Sequence, residues 1–599
     1  MRIRRKLTAA VFSAVLATAA VAGCSTGEDA ASTSSGATTA AAAVSGDLSA
    51  AAVLADNESD HAEDQDVAYD ESQVVDVKLT GDSATASGDG VSVDGATVTI
   101  TAGGTYRLSG SLNGQVVIKA ADATVKLILN GVDISSSSTA AIAATAADKV
   151  VVLLADGSQN KLSDASAYAD DADVNAALYS AADLTIAGNG ALTVKGNGND
   201  AIASQDGLVI ASGTITAEAA DDGIRGKDYL VVDGGTITVT AGGDGLKADN
   251  ADEADAGYIA VAGGTVTVTA KGDGADAATD LVVTGGTLTV TAGGGSGVAP
   301  TDETSTKALK AGVAAVLEGG TVKLDSSDDA INSDAAVRLG GATVTAASGD
   351  DGVHAEAKLV VDAGSLDITN SNEGLESAAI VLSGGEVNIV SRDDGINAAG
   401  GTGGGGGAPG GGGPGGGEAV GDYSVTVSGG TLVINADGDG FDSNGTATIT
   451  GGTVVVNGPT SNGNGALDVN GTFTISGGVL LAAGSAGMAV APDTDSAQGW
   501  LSATFTSTVA SGTTLQVVDA DGKVVATFVT SSDVQNLVHS SSAITKGEKY
   551  QIYSGGTASG DSTGGLAASG SLGSATSIAT VTAGEAPAGG GGPGGGRRR

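Results

Sequence analysis

Residues 234–247 read GGTITVTAGGDGLK, and residues 263–276 read GGTVTVTAKGDGAD. In each stretch a Gly-Gly pair opens an alternation of Thr with a β-branched residue, and an Asp-Gly pair then introduces a short second apolar segment. Alternation of period two is the pattern of a half-buried strand, and the glycine pairs punctuate it as turns. Copies of the first unit begin at Gly213, Gly235, Gly264, Gly286, Gly320, Gly341, Gly364, Gly385, Gly430, Gly452 and Gly478, and their spacing returns repeatedly to 21–23 residues. A propeller blade needs about 40–45 residues. Twenty-two residues suit one coil of three short strands and three turns, stacked on the next coil at about 4.8 Å, the strand spacing of a sheet. The fold class expected is all-β, a right-handed parallel β-helix (solenoid) with a small C-terminal β cap, since crossovers between parallel strands are right-handed and the open ends of a stack need covering.

Outward from the repeat, the three longest spacings place insertions at Asp249–Gly257, Gly295–Ala311 and Ala399–Gly421. The third is almost pure glycine and reads as an excursion without fixed structure. Strand alternation begins near residue 73, so the β-helix is assigned to 73–497. Beyond Trp500 the repeat stops. Leu515–Val518 and Val524–Phe528 flank Asp521-Gly522 as a hairpin, which joins Tyr550–Tyr553 as a cap over 498–555. Residues 556–599, rich in Gly, Ser and Ala, are expected to form a disordered tail.

At the other end, MRIRRK precedes a short apolar run that closes on Val21-Ala22-Gly23-Cys24. A basic start, a run too short to span a bilayer and a small-residue boundary mark residues 1–23 as a signal peptide. The closing residues resemble a bacterial lipobox, which implies lipidation at Cys24. Cys24 is the sole cysteine, so no internal disulfide exists. Residues 24–72 carry a cluster of eight acids between Asp56 and Glu71 and are expected to be a disordered acidic tether.

Of 599 residues, 99 are Gly and 3% are aromatic, and the formal net charge is −43. Such a balance excludes nucleic acid as a partner, because phosphate binding needs a basic face. It suits cation binding and solubility.

Each coil carries an acid, a small residue, an apolar residue and a polar residue in order, as at Asp222–Arg225, Asp244–Lys247, Asp273–Asp276, Asp329–Asn332, Asp351–His354, Asp394–Asn397 and Asp439–Asp442. Extra acids precede several of these, at Asp221, Asp328, Asp350 and Asp393. The third position is expected to point inward, giving a ladder of Ile224, Leu246, Ile331, Val353, Leu375, Ile396 and Phe441. Carboxylates stacked about 4.8 Å apart repel. Calcium bridging the rungs is one resolution, and Asp221, Asp222, Asp244, Asp273, Asp328, Asp329, Asp350, Asp351, Asp393, Asp394 and Asp439 are the candidate ligands. The alternative is turn formation alone, because Asp-Gly is a common turn dipeptide.

The stretches Leu127–Gly131 (LILNG), Asp156–Leu162 (DGSQNKL), Asp183–Gly188 (DLTIAG) and Leu192–Val194, with the repeated Asp-Gly and Gly-Gly-Thr units and the poly-Gly insertion, resemble bacterial carbohydrate-binding β-helix proteins related in fold to pectate lyases. The resemblance spans about residues 73–555. It implies a calcium-containing, polysaccharide-binding role, with acidic plant polymers or cellulose as candidate ligands. The low aromatic content departs from most sugar-stacking sites.

The expected function is therefore calcium-assisted binding of an acidic polysaccharide by a monomeric protein, exported and lipid-anchored to the outer face of the bacterial cell membrane. Arg225, Lys227, Lys247 and Lys271 are candidates to read sugar carboxylates, and Tyr229 and Tyr258 to stack a sugar ring. A structural surface stalk or adhesin without a sugar ligand is the first alternative and a polysaccharide lyase the second. Catalysis is not expected. The chain has no Arg-x-Pro-x-x-Arg cluster for a lyase and no Gly-His-Gly motif for a polygalacturonase, and its acids repeat where an active site would be unique.

Overall fold

The computed structural model describes residues 46–169, 172–301, 304–400 and 420–585. The signal segment, Cys24 and most of the poly-Gly insertion lie outside these residues. The description below concerns the unit that begins at Ala41.

The chain is all-β, with sheets of 30, 16 and 6 strands. The two large sheets consist mainly of parallel ladders, to which each repeat of the sequence adds strands. In one ladder Thr214–Ala219, Thr236–Ala241, Thr265–Ala270 and Thr287–Ala292 pair residue for residue, so that Ile215, Ile237, Val266 and Leu288 lie in register. A second contains Tyr229–Val232, Tyr258–Val261 and Asp280–Val283. A third, of three-residue strands, aligns Ile224, Leu246, Ala275 and Leu309, then Ile331, Val353 and Leu375 and finally Ile396 and Phe441. All seven residues expected to point inward are fully buried there. Inward residues of the ladders form one continuous apolar core. Small side chains suffice because each layer is only about 4.8 Å thick.

The two glycine pairs of the repeat do different work. The second Gly of each Gly-Gly pair has positive φ, +80° at Gly264 and +75° at Gly286, which other residues adopt only with strain. The Asp-Gly glycines have no such φ, contrary to the simple turn reading. They are small because the next coil is close: a Cβ on Gly245 would lie 2.6 Å from the Gly274 carbonyl oxygen and 2.1 Å from a Val268 methyl.

Both ends of the stack change to antiparallel pairing. At the start, Val91–Asp94 folds back on Thr97–Ile100. At the end, Val534–Ser540 inserts antiparallel between Val479–Gly484 and Trp500–Val509, and Trp500 and Val538 join the core. The expected hairpin forms, with Thr514–Val518 paired to Val524–Val529 and to Lys549–Ser554. Residues 557–582, expected to be a disordered tail, instead supply Thr557–Thr563, Leu566–Ser571 and Thr576–Thr582 to the same six-stranded sheet. Their alternation is hidden by Ser, Gly and Ala, and pairing to ordered neighbours provides what their composition does not. This sheet shares a second apolar cluster with Val433, Val455 and Leu481, residues on the outward face of the last coils.

The acidic segment is the other departure. Residues 46–72 form a strap docked on the coils rather than an extended tether. Helix α1, Ala50–Asp56, starts at an N-cap Ser49 whose hydroxyl accepts from the Ala52 amide. Its apolar face, with Leu48, Ala50 and Val53, covers Val282, Ala314, Val316 and Ala336. Fixed partners then receive the polar groups. Asn57 donates to Asp280 at 2.8 Å, Arg338 donates to the Leu48 carbonyl at 3.2 Å, and Lys149 pairs with the buried Asp66. Composition suggested disorder because it counts acids and not the surface that meets them.

Candidate functional site

The short-strand ladder brings the repeated acids together, and the main-chain amide of the next coil takes one oxygen of most of them. Asp222 accepts from the Asp244 amide at 2.8 Å, Asp244 from the Asp273 amide at 2.8 Å, and Asp273 from the Lys307 amide at 2.7 Å. Asp329 accepts from the Asp351 amide at 3.1 Å and Asp394 from the Asp439 amide at 2.6 Å. Each acid thus clips its coil to the next.

Cations on the same face balance the second oxygens. Lys247 lies 2.6 Å from Asp244 and 3.2 Å from Asp222. Lys307 lies 3.0 Å from Asp328 and 2.8 Å from Asp329, and Lys310 lies 3.0 Å from Asp276 and 3.4 Å from Asp273. His354 lies 3.3 Å from Asp351 and 3.0 Å from Glu376. Burial opposes the charge on His354, but these two acids outweigh it and push its pKa up to about 11, so the ring is imidazolium. Burial also raises several of the acids themselves. Asp200 is pushed up to about 7, Glu373 to about 7 and Asp394 to about 8, chiefly by desolvation and then by neighbouring carboxylates. Amides and lysines thus relieve part of the expected repulsion.

This accounting changes the roles expected of several residues. Arg225 is not free to read a sugar; Nε and Nη2 both bind Asp249, at 3.0 and 2.8 Å. Lys247 is held in the ladder. Tyr229 and Tyr258 occupy equivalent positions, as expected, but each is only 3% exposed, and they stack on each other with centroids 5.3 Å apart beneath the strap. The Tyr229 hydroxyl accepts from the His61 amide at 3.0 Å, and the Tyr258 hydroxyl donates to the Glu58 carbonyl at 3.0 Å. Neither can stack a sugar in this arrangement. Lys271 is exposed and Lys227 half-buried.

Among the candidate metal ligands, Asp328, Asp329 and Asp350 converge with ligand oxygens within 4.8 Å of one another. The same compass groups Asp351 with His354 and Glu376. Calcium takes six to eight oxygens. The first group offers three carboxylates with the Lys307 ammonium on two of them, and the second offers two carboxylates and a histidine nitrogen. Asp221 and Asp393 are exposed at the edge of the ladder.

A recess lies where the strap crosses the early coils. It measures about 810 Å³ and is lined from the strap by His61, Glu63, Tyr69 and Asp70 and from the coils by Lys126, Asp148, Lys149 and Asp183. Tyr69 is 45% exposed. Lys126 donates to the Gln65 and Ala68 carbonyls, both at 2.7 Å, which fixes the strap's path. An exposed aromatic ring beside carboxylates and an ammonium offers an apolar face and hydroxyl partners together. Sequence reading missed this cleft, since one wall comes from residues 61–70 and the other from residues 124–183. The visible signal was the exposed Tyr69 amid acids. The motif residue Asn160 proves structural: buried, its side-chain oxygen accepts from the Gly131 and Val132 amides at 2.9 and 3.1 Å.

A family model described as carbohydrate-binding domain-containing protein matches residues 94–352. A carbohydrate-binding domain-containing protein of Acetivibrio thermocellus is 41% identical over 137 residues, 22% of this chain and 48% of that protein. The chain therefore spans about half the length of this curated relative. A solved polysaccharide lyase-like protein from C. thermocellum, a gadolinium derivative, is 30% identical, covers 49% of this chain and 96% of its own, and superposes with a TM-score of 0.34.

Proposed function

From the similarity of residues 94–352 to a family model described as carbohydrate-binding domain-containing protein, we propose that the chain is a non-catalytic polysaccharide-binding protein built as a right-handed parallel β-helix. The observation that carries this reading is the cleft between strap and coils, whose coil wall, from Thr124 to Asp183, lies inside the matched segment. Tyr69 supplies a face for a sugar ring, and Asp70, Asp148 and Lys126 surround it with hydroxyl partners. The Asp-Gly ladder holds coils together and does not take part.

Glycan-array binding of the full chain, followed by titration of the best glycan, tests the reading. Tyr69→Ala and Asp148→Asn should each weaken binding about tenfold, the effect of losing one stacking or hydrogen-bonding contact of about 1.4 kcal/mol. Unchanged affinity in both variants displaces the site from the cleft. Absence of any glycan ligand favours a structural stalk.

A second reading is calcium bridging to an acidic polysaccharide, favoured by the convergence of Asp328, Asp329 and Asp350. Net charge −43 opposes direct contact with a polyanion, and the ion must displace Lys307. Loss of binding on chelation, restored by Ca²⁺, selects this reading, and binding that survives chelation removes it. Export and lipid anchoring at Cys24 complete the proposal. Cys24→Ala should release the protein from membranes or leave it unprocessed, and normal membrane retention of that variant overturns the anchor.

A further inference from the structure

The polar fourth position of the repeated unit forms a column in which Lys310, Asn332, His354, Glu376 and Asn397 follow one another coil by coil. Of the chain's 3 histidines, only His354 stands in this column. Asp351, the acid of the same unit, precedes it by three residues, and Glu376 lies opposite it on the next coil. His354 Nδ1 is 3.3 Å from an Asp351 oxygen and 3.0 Å from a Glu376 oxygen. The three donor atoms all lie within 4.8 Å of one another. Tetrahedral bonds of about 2.0 Å set donors about 3.3 Å apart, so the three need little movement to share one ion. The side chains of His354, Asp351 and Glu376 are 14%, 8% and 16% exposed, which leaves the cluster within reach of solvent.

The surroundings suit a cation as well. Across the ring, Nε2 faces a Glu356 oxygen at 3.9 Å. A carboxylate or water beyond the far nitrogen is the usual support of a ligating histidine, because it holds the ring's orientation. Asp329, Glu373 and Asp350 act on Asp351 through space and make its neighbourhood more negative. We propose that Asp351, His354 and Glu376 bind one zinc-class divalent ion through an imidazole nitrogen and two carboxylate oxygens, joining two adjacent coils, with water completing the coordination. The ion takes the place of the proton that the ring otherwise shares with the two acids. Carboxylates alone would not choose among cations. The nitrogen does, since imidazole suits zinc and its neighbours whereas calcium and magnesium take oxygen. The site uses no residue of the strap cleft and does not depend on the glycan reading.

Calorimetric titration of the full chain with Zn²⁺, in the presence of excess Ca²⁺, tests the proposal. The calcium occupies the general acidic surface of a chain of net charge −43 and leaves a nitrogen-containing site to the zinc. One saturable zinc site is expected. His354→Asn removes the nitrogen donor and keeps the fold, because Asn332 already stands at this position on the preceding coil and bonds its own acid, Asp329, at 2.9 Å. Outer-shell changes at metal sites cost 10–100-fold, and loss of a ligand should weaken the site by about a hundredfold. Co²⁺ in place of Zn²⁺ should give a visible absorption band in the wild type that the Asn variant lacks. Absence of a saturable zinc site under excess calcium overturns the proposal. So does an Asn variant that binds zinc as tightly as wild type, because the ion would then be held by surface carboxylates alone.

Discussion

Asp222 offers the sharpest test of the ladder as a clip between coils. Its carboxylate accepts the Asp244 amide at 2.8 Å, lies 3.2 Å from the Lys247 ammonium and is 8% exposed. Asn at this position keeps an acceptor for the amide and loses the charge. A hydrogen bond to a charged group contributes about 1.5–3 kcal/mol and a neutral one about 1. Burial already holds the Asp222 carboxyl above its usual pKa, so relief of desolvation offsets part of that loss. Asp222→Asn should therefore cost about 1 kcal/mol. Asp222→Leu strands the partly buried Asp244 amide and leaves Lys247 with Asp244 alone, for about 3 kcal/mol. Parallel ladders built from repeats open locally, so hydrogen exchange over residues 242–248 is the suitable assay. Exchange should accelerate about fivefold in the Asn variant and about a hundredfold in the Leu variant, since each 1.4 kcal/mol is tenfold. Chelator should leave the wild-type rates unchanged. Wild-type protection that collapses on chelation, or a Leu variant as protected as wild type, would refute the clip.

The strap should undock in Val53→Asp, which places a charge in the apolar seat formed with Val282 and Val316; limited proteolysis should then cut within residues 46–72, and resistance equal to wild type contradicts the docking. Gly264→Ala forces a side chain to φ +80° with its Cβ 2.7 Å from the Gly235 carbonyl oxygen, and should lower the thermal midpoint clearly; an unchanged midpoint contradicts the strain reading. His539 makes the C-terminal cap acid-sensitive. Its folded pKa, about 4, lies below an unfolded value of about 6.5, so its contribution is complete above that value and is lost as pH falls toward 4, by up to about 3 kcal/mol. The sole tryptophan, Trp500, lies on the strand paired with that of His539 and reports the opening by fluorescence; His539→Leu should flatten the pH dependence between 6.5 and 4.

The periodicity by itself determined the parallel all-β ladders, the inward series from Ile224 to Phe441 and the closing hairpin at Asp521-Gly522. Those features depend on local alternation and on a repeat that returns each residue to the same station one coil later, and both are written in residue order. Tertiary structure alone decided what the outward residues do. Asp222 and Asp244 look like metal ligands in a list of acids, but the next coil supplies their amide donors and Lys247 its charge. Tyr229 and Tyr258 look like a sugar platform until residues 58–62 cover them. Acidic composition made that strap look disordered, and its order comes from surfaces more than 200 residues away, where Asn57 meets Asp280 and Ala50 meets Glu318. The same holds for the cleft at Tyr69 and for His539, whose unpaired nitrogen depends on a strand inserted between two others. Burial and partnership between distant segments are properties of the packed chain, and no local pattern encodes them.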